Sequence, residues 1–96
     1  MGLTQMPQRR QHIYEAIDRE RAYQQEKRPL SHRQGHEIPG WIAIMRAELA
    51  EAEEAWVQGD GAPANAESLR EILQIVATGI AALEQHGIVE RRELMR

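Results

Sequence analysis

The stretch "GWIAIMRAELAEAEEAW" at residues 40–56 decides the predicted fold. Its apolar residues recur three and four positions apart, so that they share one broad face of an α-helix. These residues are Trp41, Ile44, Met45, Leu49, Ala52, Ala55 and Trp56. Glu48 lies near the middle of this face and Glu51 lies at its edge. A buried carboxylate is costly unless a partner satisfies it, so the stretch predicts a helix with a specific partner for Glu48.

Two breaks divide the rest of the chain. Proline and glycine are concentrated at residues 29–40 ("PLSHRQGHEIPG") and 59–66 ("GDGAPANA"), which is typical of loops. Around them the sequence predicts helices over about residues 8–27, 41–58 and 67–86, and a short helix over about 88–95. Pro7 suits an early helix position, and Gly87 is typical of a C-cap. No run alternates with period two, so residues 1–96 are predicted to form one all-α domain, a helical bundle.

The third helix carries two different strips of residues. One is predicted to be an ordinary core stripe and consists of Leu69, Ile72, Leu73, Val76, Ile80 and Leu83. The other is only partly polar and is interleaved with Ile75 and Ala82; its polar members are Glu67, Glu71, Gln74, Thr78 and Gln85. We expect this second strip to lie in a cleft or against another subunit.

Composition limits the size of the core and the classes of function. The chain has 96 residues, no phenylalanine and only 4% aromatic residues, so a monomer would have a small core and we expect homo-oligomerisation to complete it. The formal net charge of −3 argues against a nucleic-acid or membrane-surface binder. There is no cysteine, no stretch of membrane-spanning length and no signal-peptide pattern at the N-terminus, so a cytoplasmic protein is expected.

Two pairs of polar residues have the spacing of neighbours on one helix face. Glu48 and Glu51 are three residues apart, and two carboxylates so placed suit a hard cation such as Mg²⁺ or Mn²⁺. The alternative is that Glu48 pairs with an arginine of the first helix, or keeps its head in water at a helix margin. Glu71 and Gln74 repeat the spacing, and for them a solvated face is the alternative.

The first loop carries further candidates. Lys27, Arg28 and Arg33 cluster at its start, where they would either contact phosphate or form a solvated basic patch. His32 and His36 have a separation seen in zinc sites, but no third ligand is nearby in sequence, so no zinc site is predicted.

Several motifs together resemble a known family. They are "RERAYQQEK" at residues 19–27, the Gly/Pro-containing loop, a tryptophan that opens the second helix, "ELAE" at 48–51, and "LREILQIVATGIAALEQHG" at 69–87, which contains "EILQ" at 71–74. Over residues 8–87 the chain resembles the MazG-like, all-α nucleoside triphosphate pyrophosphohydrolases, especially the short single-domain forms of phages and mobile elements.

The resemblance implies a homodimer or homotetramer of helical bundles that hydrolyses a nucleoside triphosphate between its α and β phosphates. By position, Glu48, Glu51 and Glu71 would be the catalytic acids and the ligands of Mg²⁺ or Mn²⁺, with Gln74 in the place of a fourth ligand. The weaker candidates for substrate contact are Gln24, Lys27, Arg28 and Arg33.

Two positions depart from the family pattern. Gln74 stands where the family has an aspartate, and Ala47 stands where many relatives have another glutamate. Three strong carboxylates suffice for one cation but are few for two or three. The alternative is therefore a non-catalytic, oligomeric binding or interaction protein that has kept the bundle. A DNA-binding protein is disfavoured because no basic face is present.

Overall fold

Three helices account for most of residues 6–27, 34–59 and 62–91, the parts of the chain that a computed structural model describes. They are α1 (Met6–Lys27), α2 (Ile38–Gln58) and α3 (Ala62–His86). The described ranges contain no strand, and α3 packs against both α1 and α2. The prediction of an all-α helical bundle is confirmed. None of the helices in these ranges has the length and apolarity needed to cross a lipid bilayer.

The helix ends follow local chemistry. Gly87 has φ 97° and its N–H donates to the Leu83 carbonyl at 2.8 Å, which is the left-handed cap predicted for this glycine. By contrast, α2 begins at Ile38 rather than near Trp41, because Pro39 is accommodated in a first helical turn. The Glu37 carbonyl accepts the N–H groups of Gly40 at 2.9 Å and Trp41 at 3.2 Å. Similarly, α3 begins at Ala62 rather than near residue 67.

The predicted short helix at the C-terminus is not present over the described residues. Residues 87–91 are not helical, and residues 92–95 of that prediction lie outside the described ranges. Ile88 and Val89 are 72% and 95% exposed, so they do not dock on the bundle. The left-handed backbone at Gly87 turns the chain away from the axis of α3.

The interior of the protomer differs from the predicted core. The buried apolar residues are Trp41, Ala52, Ala77 and Ala81. The buried polar residues are Gln24, Glu48, Ser68, Gln74 and Thr78. In contrast, four members of the stripe that was predicted to be the core of α3 are exposed, and these are Leu69 (63%), Ile72 (46%), Val76 (41%) and Leu83 (47%).

The prediction that the first strip forms the core was therefore wrong for these four residues. On the polar strip, Gln74 and Thr78 are buried, whereas Glu67 and Gln85 are exposed. Two alanines beside Gln74 and Thr78 on the same side of α3 explain this burial. Ala77 is fully buried and Ala81 is 3% exposed, and alanines let neighbouring helices approach closely. Gln74 and Thr78 form hydrogen bonds with Glu48 of α2 across that close contact.

Candidate functional site

Glu48 is at the centre of a buried polar network between α2 and α3. Its side chain is 3% exposed, so the alternative that the Glu48 carboxylate is solvated at a helix margin is wrong. Glu48 Oε2 accepts a hydrogen bond from Gln74 Nε2 at 3.2 Å and another from Thr78 Oγ1 at 3.0 Å. The "ELAE" and "EILQ" motifs therefore meet directly, one on each helix.

Gln24 connects α1 to the same network by hydrogen bonds. It is fully buried and donates from Nε2 to the Gln74 carbonyl and to Thr78 Oγ1, both at 3.2 Å. The Gln74 carbonyl also receives the helical N–H from four residues later, so its two lone pairs are occupied. The single hydroxyl proton of Thr78 is then directed to Glu48, although the Gln74 carbonyl lies 3.0 Å away. Gln24 thus sets Thr78 as a donor to Glu48.

Helical spacing brings these groups together. Gln74 and Thr78 are four residues apart, so they stack on one side of α3. Trp41 Nε1 donates to Gln85 Oε1 at 2.8 Å, while Glu48, later in α2, bonds Gln74, earlier in α3. The two helices are therefore antiparallel. Glu51 and Glu71 consequently lie at the same level, one turn along from the Glu48–Gln74 contact.

The remaining candidate residues lie in different settings. Glu51 is exposed, and Glu71 is half-buried. Lys27 is exposed at the end of α1, whereas Arg28 and Arg33 lie outside the described residues. Thr78 was in the polar strip but was not singled out as a site residue. Its spacing of four from Gln74 was the signal for its role.

The donor set suits a hard cation in chemical type but is not assembled around one position. Three carboxylates and one amide carbonyl are ligands that Mg²⁺ accepts. However, in the described ranges no three histidine, aspartate or glutamate side chains lie close enough together to hold an ion. Gln74 also turns its amide nitrogen, not its oxygen, towards Glu48. In this conformation Glu48 and Gln74 are a hydrogen-bonded pair.

A second polar cluster lies about two helical turns further along the bundle, since Trp41 precedes Glu48 by seven residues. Arg21 of α1 forms an ion pair with Glu84 of α3, with NH2 and Oε1 2.9 Å apart. Gln85 Oε1 accepts from Trp41 Nε1 and from the His36 N–H at 3.0 Å. The His36 ring packs edge-on against Trp41. These contacts fix the segment before α2 against the end of α3.

We expect Gln85→Ala to lower the melting temperature more than Gln58→Ala does. The first change leaves the buried Trp41 N–H without its acceptor, which costs about 1–2 kcal/mol and corresponds to roughly 4–16 °C for a domain of this size. Gln58 instead donates to Glu54 at 3.2 Å on the exposed surface, so its loss should have little effect. Thermal unfolding followed by circular dichroism measures both, and equal shifts would contradict the assigned role of Gln85.

Comparison with known proteins identifies no relative: no family model, characterised protein or solved structure matches this chain. The fold and site define an all-α bundle whose centre is polar rather than hydrophobic.

Proposed function

We propose that the protein is a metal-dependent nucleoside triphosphate pyrophosphohydrolase, or a nucleotide-binding relative of one, that works in the cytoplasm as a homodimer or homotetramer. The observation that supports this proposal most directly is the contact of Glu48 with Gln74, because it joins the two motifs on which the resemblance rests. Glu48 and Gln74 are buried, so a solvated position does not account for this contact.

The proposed ligands of Mg²⁺ or Mn²⁺ are Glu48, Glu51 and Glu71, with Gln74 in the fourth place. Because α2 and α3 are antiparallel, the two motifs lie level with each other on facing turns of these helices. When bound, such a cation would supply charge screening for the triphosphate and a more acidic bound water. The bond cleaved would be the one between the α and β phosphates, giving a nucleoside monophosphate and pyrophosphate.

The other candidates have different proposed roles. Lys27 is exposed where α1 ends, and with Arg28 and Arg33 it is proposed to attract the phosphates. The resemblance implies substrate contact for Gln24, but this side chain is fully buried. We propose that it acts through Thr78, by holding the hydroxyl that donates to Glu48.

A non-catalytic oligomeric binding or interaction protein is the second candidate. The amide of Gln74 favours it, because this side chain donates to Glu48 where an aspartate would need a cation between the two acids. The network therefore holds Glu48 without invoking any ion. A bundle that lost its catalysis would retain such an arrangement.

Pyrophosphate release from a panel of ribo- and deoxynucleoside triphosphates, with Mg²⁺ and with Mn²⁺, tests the proposal. We expect turnover by the wild type and a fall of at least about tenfold in Glu48→Gln, which removes a metal-binding carboxylate. A glutamine there keeps an oxygen for both donors, so the fold should persist. Glu54→Gln is the matched control, since it is the same change at an exposed position of the same helix.

The outcomes separate the two candidates. Turnover that Glu48→Gln removes and Glu54→Gln retains would support the enzyme. No turnover on any substrate by a folded wild-type protein would favour the interaction protein. Turnover that is equal in all three proteins would contradict the assignment of Glu48.

A further inference from the structure

Large apolar side chains line a groove between α2 and α3 on the outside of the protomer. The groove has a volume of about 850 Å³, and we call it the α2–α3 groove. The large apolar residues in its lining are Leu49 (53% exposed), Trp56 (60%), Val57 (77%), Leu69 (63%) and Ile72 (46%). On each helix they are spaced for one continuous stripe.

We propose that a second copy of the chain covers the α2–α3 groove, so that two α2–α3 pairs form one four-helix core. This inference deepens the oligomeric part of the proposed function by naming its surface. It does not depend on nucleotide hydrolysis.

The size of the exposed patch fits this occupant. From their exposed fractions, the five side chains leave on the order of 500 Å² of apolar surface per copy, towards the upper end of the range for the largest apolar patch of a monomer. A standard interface buries about 800 Å² per partner, of which about 65% is apolar in homodimers. The patch therefore supplies roughly the apolar area that one side of a homodimer interface needs.

The composition of the protomer interior indicates that the partner in the α2–α3 groove must be bound permanently. Apart from Trp41, the buried apolar residues in the described ranges are alanines, so the protomer alone buries little large aliphatic surface. A partner that completes the core must be present whenever the chain folds. A second copy meets this condition in every setting, whereas a different protein would have to be supplied in matching amounts.

The proposed interface leaves Glu51, the exposed member of the candidate site, uncovered. At about 100° per residue, Glu51 is on the flank of α2 opposite to Leu49 and Glu53, which line the groove. A second copy in the groove would therefore not cover Glu51.

Mass measurement by light scattering and acrylamide quenching of tryptophan fluorescence test the proposal on the full chain. We expect the wild type to have at least twice the 11.0 kDa mass of one chain. Leu69→Glu should halve the mass or prevent folding, while Val89→Glu should do neither, because Val89 is 95% exposed beyond the end of α3.

Quenching keeps the test decisive if Leu69→Glu does not fold. In an isolated protomer Trp41 is 3% exposed and Trp56 is 60% exposed, so about half of the emission should be quenched easily. In the proposed assembly both tryptophans are shielded in the wild type. A monomer, or an oligomer in which Trp56 remains open to acrylamide, overturns the proposal.

Pyrophosphate release measured on the same samples separates this inference from the proposed function. An oligomer with shielded tryptophans and no turnover supports the interface while contradicting catalysis. Turnover by a monomer overturns the interface and leaves catalysis supported.

Discussion

The substitution Gln74→Glu is expected to lower the melting temperature strongly in metal-free buffer and to make it depend on Mg²⁺ or Mn²⁺. Gln74 Nε2 donates to Glu48 Oε2 at 3.2 Å, and both side chains are buried. The variant replaces this donor with a second carboxyl group that faces the first. Losing a hydrogen bond to a buried charged group and adding repulsion costs about 3–5 kcal/mol, or more than 10 °C for a domain of this size.

The chain offers a matched control for this prediction. Gln58 Nε2 donates to Glu54 Oε2, also at 3.2 Å, but on the exposed surface of α2. Gln58→Glu therefore makes the same chemical change at the same distance in water, where like charges three or four residues apart cost only about 0.2–0.5 kcal/mol.

Added cation distinguishes a metal site from a structural network. If Glu48 and its neighbours bind Mg²⁺ or Mn²⁺, a glutamate at position 74 adds a carboxylate ligand, and the cation should restore much of the lost melting temperature in the variant. The wild type should gain less. A large fall that no cation reverses would support the hydrogen-bond network and contradict the proposed metal ligands. A fall no larger than that of Gln58→Glu would contradict the network itself.

The substitution Thr78→Val is expected to be the other strongly destabilising change. Valine has almost the shape of threonine but lacks the hydroxyl that donates to Glu48 at 3.0 Å and accepts from Gln24 at 3.2 Å. Thr78 is fully buried, so water cannot replace either bond in place. Each of these two buried groups then keeps only its bond to Gln74 and loses its bond to position 78. The loss of two buried hydrogen bonds, one of them to a carboxylate, should cost about 2–4 kcal/mol.

Thr78→Ser provides the comparison, because serine keeps the hydroxyl and removes only a methyl group. Urea unfolding of the three proteins should rank the wild type as most stable, the serine variant next, about 1 kcal/mol lower, and the valine variant last. If the serine and valine variants are equally destabilised, the hydroxyl bridge does not contribute to the stability of the bundle. That result would also contradict the proposal that Gln24 acts by holding the Thr78 hydroxyl.

Much of the candidate site was predictable because it depends on local spacing. Glu48 lies on the buried side of α2, as its place among apolar residues indicated, and Gln74 lies opposite to it. Gln24 and Thr78 were not predictable in their present roles. Gln24 is surrounded by charged residues in sequence and Thr78 by small and apolar ones, and neither pattern shows which residue of another helix each side chain will contact.

The sequence by itself determined the presence of three main helices, the end of α3 at Gly87 and the periodicity that puts Glu48 on the buried side of α2. Those features follow from interactions within a few residues of one another, which spacing and cap residues encode directly. Only the tertiary structure decided which strip of α3 faces its own protomer. Hydrophobicity favoured the strip with Leu69 and Ile72, but the side of α3 with Ala77 and Thr78 is inside. The small side chain of Ala77 allows close helix contact, and Thr78 meets Glu48 and Gln24 only when the three helices pack together.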